Sequence, residues 1–129
     1  MESTVLSDVY SVLSKESENV LLRHLDSFGN NDLEALMSDY SEHSVLITHE
    51  QTYNGLQEIR GFFVQLMTHF PKDRSDFKLD KLEISDDLAF IVWNATTPSL
   101  EVALGTDTFV IRKGKIWQQT FAGQMKFLN

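Results

Sequence analysis

The sequence predicts an α+β domain in which the helices come first and cover one concave face of an antiparallel sheet. Three observations carry this reading. Apolar residues recur at helical spacing as far as Phe70, the period changes to two from Phe77 onward, and turn residues then divide the chain into four strand-like segments. The expected order is helix, helix, strand, helix and four strands, with an extra helical segment at the N-terminus.

Val5, Val9, Val12 and Leu13 keep helical spacing, and a stretch rich in Ser and Glu from Ser14 to Asn19 reads as a break. Residues 1–15 are therefore expected to form an N-terminal helical extension, and 16–129 a single domain. Val20, Leu21, His24, Leu25 and Phe28 form the next stripe, which ends at Gly29. Asn31 then reads as a cap, with Glu34 reaching back and Leu33, Leu36, Met37 and Tyr40 on a short helix. Val45 to His49 alternates as a strand. Asn54-Gly55-Leu56-Gln57 repeats the cap pattern and opens a helix carrying Leu56, Ile59, Phe62, Phe63, Leu66, Met67 and Phe70, which Pro71 stops.

In the first long strand Phe77 and Leu79 share one phase and Leu82 and Ile84 the other, so a bulge near Asp80 and Lys81 is expected. Asp86-Asp87, Pro98-Ser99 and Lys113-Gly114 then turn the chain between Leu88 to Thr97, Leu100 to Arg112 and Lys115 to Phe127.

Composition narrows the function classes. The 129 residues are 42% hydrophobic and 23% charged with two prolines, as in a globular domain. A net charge of −8 argues against nucleic acid, where Lys and Arg must neutralise phosphates. Lys72 with Arg74, and Arg112 with Lys113 and Lys115, read as turn chemistry on solvated edges. The start lacks the basic and apolar regions of a signal peptide, and the longest uncharged run, Leu88 to Leu100, is too short and polar to span a bilayer. With no cysteine, the expectation is a cytoplasmic protein in a reducing compartment.

Among possible chemical groups, Asp107 stands out. Alternation along Val102 to Ile111 places it on one face with Ala103, Gly105, Phe109 and Ile111. A carboxylate on such a face is paired, protonated or lining a cavity. His24 lies on the buried helix stripe, where it either packs in the core or joins Asp107 in a cavity. A His–carboxylate pair there would suit acid/base work near neutral pH. Thr48 and His49 point to opposite faces of their strand, and the phase of Val45 and Ile47 favours His49 as the inward one. Trp93 shares a face with Ala89, Ile91 and Ala95, and its indole N–H needs a partner. Trp117, Gln119 and Phe121 share another face.

The histidines at 24, 43, 49 and 69 show no HxxxH or HExxH spacing, and the glycines form no phosphate-binding loop. No GxSxG elbow occurs. No metal and no cofactor are expected.

The element order, with the stretches Leu25 to Tyr40, Val45 to Phe63 (including Tyr53-Asn54-Gly55) and Gly105 to Phe109 followed by Gly114-Lys115-Ile116, resembles the nuclear-transport-factor-2-like superfamily in its SnoaL-like and ketosteroid-isomerase-like branch. The resemblance implies a cone-shaped curved sheet with three helices on its concave face and a pocket inside. It also implies a small hydrophobic ligand and a homodimer made through the sheet. Against the isomerase pattern, Asp107 falls on the carboxylic acid that donates to the substrate oxyanion, His24 on the oxyanion-binding tyrosine, and Thr48 on the aspartate base. A ketosteroid isomerase proper is thereby disfavoured, and a cyclase, isomerase or lyase using Asp107 with His24 or His49 is the expectation. The alternative is a non-catalytic binding or dimerisation module. Phe28, Tyr40, Thr48 and Phe62 are expected to line the pocket from the first half of the chain. Trp93, Phe109 and Phe121 are expected to line it from the strands. The epoxide-hydrolase branch requires an Arg bridging two carboxylates, whereas Arg23, Arg60 and Arg112 lie in polar phases.

Overall fold

A computed structural model describes the backbone of residues 2–128 and the side chains of residues 12–128. Its first element corrects the expected break at Ser14 to Asn19, because one helix, α1 (Glu2–Gly29), runs straight through it. The reason lies in two serines on the buried stripe. Ser17 Oγ donates to the carbonyl of Asp86, and Ser14 Oγ accepts from the Asp86 amide, so α1 crosses the tip of a β-hairpin through small polar groups. The side chains of Val5 and Val9 lie outside the described residues.

The cap pattern also shifts by one residue. Asn31, at φ 57°, closes the end of α1 and donates its side-chain amide to the carbonyl of Phe70. Asp32, not Asn31, caps α2 (Leu33–Met37) by accepting from the Ala35 amide. Then β1 (Tyr40–Thr48) leads to β2 (Thr52–Asn54), a short strand that local spacing does not announce, and to α3 (Gly55–Met67). At the start of α3 the Asn54 side chain makes no cap bond. Glu58, not Gln57, reaches back to the Asn54 amide.

The first long strand is β3 (Asp76–Ser85), and β4 (Leu88–Thr96), β5 (Leu100–Arg112) and β6 (Lys115–Phe127) fall close to their predicted bounds. They join β1 and β2 in a curved, open six-stranded sheet of order β2-β1-β6-β5-β4-β3. The sheet is mixed and not wholly antiparallel, since β1 runs parallel to β6. Lys113 and Gly114 both take positive φ at the last turn, the geometry a two-residue hairpin with matching twist requires.

Register shifts bend the sheet. One lies between Leu79 and Lys81, where the change of phase predicts it, and others fall at Trp93/Ala95, Val102/Leu104 and Val110/Ile111. The shift at Val102/Leu104 corrects the expected face of β5: Val102 is buried with Gly105, Asp107, Phe109 and Ile111, while Ala103 is exposed. In β1 the inward phase is Ser44 and Leu46, with Ile47 exposed, which reverses the phase predicted from Val45 and Ile47.

The core lies between the concave face and the helices, α1 against β3 to β5 and α3 against β1. Gly105 shows how tight the packing is: a Cβ there would lie 2.4 Å from the Trp93 ring. Gly105→Ala is expected to lower the free energy of unfolding by about 1–3 kcal/mol, in the range of overpacked cores, seen as a lower urea midpoint at unchanged slope. An unchanged midpoint would show that the indole has room to shift.

Candidate functional site

Asp107 occupies the inward face of β5 with Ile91 of β4 and Phe121 of β6 as its direct cross-strand neighbours. Its partners are the diagonal neighbours on the same face. Trp93 lies two residues beyond Ile91, opposite Gly105, and donates its indole N–H to Asp107 Oδ1 at 2.7 Å. Gln119, two residues before Phe121, donates from Nε2 to Oδ2 at 2.9 Å. The indole is held flat between Phe121 (ring centres 5.9 Å apart, planes at 21°) and Phe77 (5.3 Å, 30°), so its N–H direction is fixed by stacking.

Behind Gln119 the polar contacts continue away from the cavity. Tyr40 donates its hydroxyl to Gln119 Oε1, and the Tyr40 hydroxyl oxygen lies 3.3 Å from His24 Nε2. His24 Nδ1 is 3.2 Å from Asp39 Oδ2. Asp39, fully buried, accepts from Arg23 at Oδ1 through Nε (2.8 Å) and Nη2 (2.7 Å), and the Arg23 side chain is 54% exposed. A continuous path of side chains thus joins a buried carboxylate to the surface. Among the described residues no buried side-chain polar atom lacks a hydrogen-bond partner.

Burial dominates the electrostatics. It pushes the Asp107 carboxyl up to about 6, against the lowering effect of the Trp93 and Gln119 hydrogen bonds and of His24. Burial, then the charges of Asp107 and Asp39, push the Tyr40 phenol well above its ordinary range, so that it stays protonated.

Asp107, His24, Phe28, Phe62, Trp93, Phe109 and Phe121 come together around one cavity of about 60 Å3 between helices and sheet. Tyr40 stands behind Gln119, outside the lining. Thr48 and His49 are not brought there. The Thr48 hydroxyl accepts the Glu50 and Gln51 amides in a turn, and His49 follows the end of β1, exposed, with its ring centre 6.3 Å from Phe121. Outside the cavity, α3 and the far end of β6 border an open groove of about 520 Å3, and Phe62 and Leu66 line both spaces.

Sequence reasoning missed the pairings of Gln119 and Asp39. Gln119 shares its face with Phe121, but Trp117 hides the phase: it takes up the register shift, leaves Ile116 inward, and turns to stack on His43 while donating to the Arg112 carbonyl. Arg23, Arg60 and Arg112 pair with single carboxylates, Asp39, Glu34 and Asp87. Among the described residues no three His, Asp or Glu side chains converge as a metal-ligand set.

Folding raises the affinity of Asp107 for its proton, from an ordinary 3.8 to about 6. Its contribution to stability is fully present below pH 3.8 and is lost as pH rises through about 6, roughly 3 kcal/mol at about 1.4 kcal/mol per unit. Asp107→Asn, which cannot ionise, is expected to gain stability relative to wild type between about pH 4 and pH 8 in urea denaturation. A wild type that gains on the variant over that window would contradict the assignment.

Comparison with curated proteins gives no match. Among solved structures, a proposed ketosteroid isomerase from Kribbella flavida superposes with a TM-score of 0.71 at 12% identity, covering 90% of this chain and 83% of its own. A proposed polyketide cyclase from Sinorhizobium meliloti gives 0.67 at 16% identity, with 80% and 93% covered. An epoxide hydrolase from M. tuberculosis gives 0.68 at 11% identity, with 86% and 84% covered. At these identities the likeness is one of fold, the nuclear-transport-factor-2-like fold. The model of the SnoaL-like domain family matches residues 21–119, which takes in His24, Asp107 and Gln119, and the chain belongs to that family.

Proposed function

We propose that the chain binds a small, largely apolar carbonyl compound and acts on it without a cofactor, as an isomerase, cyclase or lyase, with Asp107 as acid or oxyanion donor. The observation that carries this reading is a carboxyl group retained in an aromatic cavity and holding its proton to about pH 6. A protonated carboxyl there donates to a carbonyl oxygen and stabilises the negative charge that grows on it during enolisation. His24, whose ring is in the same lining, is the candidate proton acceptor by way of Tyr40 and Gln119, because both of its nitrogens face protein groups. The proposed isomerase and cyclase activities of the two structural neighbours fit this class of chemistry.

Size limits the ligand. A cavity of about 60 Å3 is far below the few hundred Å3 of ordinary ligand sites, so anything beyond a few heavy atoms requires Phe62 or Leu66 to open the wall toward the groove. The same observation, with both Asp107 oxygens already held by protein donors, favours a second reading in which the domain binds without turnover.

The outer face of the sheet exposes Ile47, Leu88 and Leu104. That apolar surface supports a homodimer through the sheet as part of the proposal. Light scattering after size exclusion tests it, with a single monomeric species at micromolar concentration as the contrary result.

A thermal-shift series of small cyclic ketones against the matching hydrocarbons tests the cavity reading. Ketones are expected to raise Tm more than hydrocarbons in wild type, more strongly below pH 6, and Asp107→Asn is expected to remove the difference. Equal shifts in both proteins would make Asp107 structural. Exchange of the ketone's α-hydrogens with solvent deuterium, followed by NMR, separates catalysis from binding alone.

A further inference from the structure

The path from Asp107 to Asp39 has a proton count that only certain charge states satisfy. Four contacts link Asp107, Gln119, Tyr40, His24 and Asp39 in series, and each requires one hydrogen between its two heavy atoms. With Asp107 ionised and His24 neutral, three hydrogens point along the series: one from the amide of Gln119, one from the hydroxyl of Tyr40 and one from the ring of His24. One contact then sets two acceptors against each other, at a cost that burial makes large. A single additional proton fills all four.

With Asp39 kept as the carboxylate that meets the Arg23 guanidinium, that proton has two places to reside. If His24 carries it, Nδ1–H donates to Asp39, Nε2–H to the Tyr40 oxygen, Tyr40 to Gln119 Oε1, and Gln119 Nε2–H to ionised Asp107. If Asp107 carries it, three of the four contacts reverse: Asp107 donates to the Gln119 oxygen, the Gln119 amide nitrogen donates to Tyr40, and Tyr40 donates to His24 Nε2, while His24 keeps Nδ1–H on Asp39. The second state differs by a half turn of the Gln119 amide, which exchanges oxygen and nitrogen at the same positions. Protons balance, because one leaves His24 Nε2 and one appears on Asp107 Oδ2.

We infer that Asp107 and His24 hold one proton between them, and that Gln119 is the positioning residue whose amide orientation decides which of the two carries it. This deepens the proposed function and rests on it: a ligand carbonyl takes the Asp107 O–H in place of the Gln119 oxygen, and His24 is the store that recharges Asp107, while Arg23 anchors Asp39 and relays no proton. Among the described residues, the charged or titratable groups in contact along the path are its own members: Arg23 and His24 from α1, Asp39 from the turn before β1, Tyr40 from β1 and Asp107 from β5. The faces that β4 and α3 turn to the cavity contribute Ile91, Trp93, Phe62, Phe63 and Leu66, none of which titrates.

The test reads the ring nitrogens of His24 and the carboxyl carbon of Asp107 by NMR across about pH 5 to 8, on the protein without ligand. A ligand screen that fails therefore leaves this outcome unaffected. In wild type one common pH step is expected at both residues. In Asp107→Asn the ring is expected to lose its second proton and show Nδ1–H alone, since the donor-only Trp93 indole takes the Asn oxygen and leaves the Asn NH2 to donate to the Gln119 oxygen. In Gln119→Met, and in Tyr40→Phe as the variant with least change of shape, the common step is expected to split into two. Separate steps in wild type would overturn the inference. So would a wild-type response preserved in both Gln119→Met and Tyr40→Phe, because charge acting through space would then suffice.

Discussion

Burying a carboxylate among aromatic rings is unfavourable by several kcal/mol unless its oxygens are met by donors held in place. Asp107 meets that condition through two strands at once, with Trp93 arriving from β4 and Gln119 from β6. Much of the local architecture serves those two bonds. Gly105 leaves the room in which the indole lies across β5, the stack between Phe77 and Phe121 holds its plane, and the bulges on either side keep the inward phase intact from Gly105 to Ile111.

The same constraint explains why the polar groups do not end at the cavity wall. Gln119 has an amide oxygen left over once its nitrogen faces Asp107, and Tyr40 supplies the hydrogen it needs. Tyr40 faces His24, His24 faces Asp39, and Asp39 is met by an arginine that reaches water. Each buried polar group brings in the next until an exposed charge closes the series. In the proposed function this series connects the cavity acid to His24, and Arg23 closes it with a fixed charge.

The parts of this arrangement that follow local period were legible in the sequence. Asp107 and Phe109 share a face because β5 alternates cleanly past Gly105, and His24 and Phe28 share one because α1 keeps its spacing. The parts that escaped are those where local period gives way. Ser14 and Ser17 look like a break because small polar residues occupy a buried stripe where the helix meets a hairpin tip. Leu46 and Ile47 compete for the inward phase of β1, and only the parallel pairing with β6, between segments far apart in sequence, decides for Leu46. Trp117 takes up a register shift and so conceals Gln119, and Asp39 sits just before a strand, where no period applies. The family resemblance supplied the curvature and the cavity, which no window of sequence encodes.

The proposed chemistry requires Asp107 to be a desolvated carboxyl that keeps its proton close to neutral pH. Titrating its carboxyl carbon by 13C NMR tests this most directly. A midpoint near 6 is the predicted result. A midpoint at or below the ordinary 3.8 would mean that the hydrogen bonds from Trp93 and Gln119 outweigh burial, leaving Asp107 as a fixed anion that ties β4 to β6 and has no proton to give.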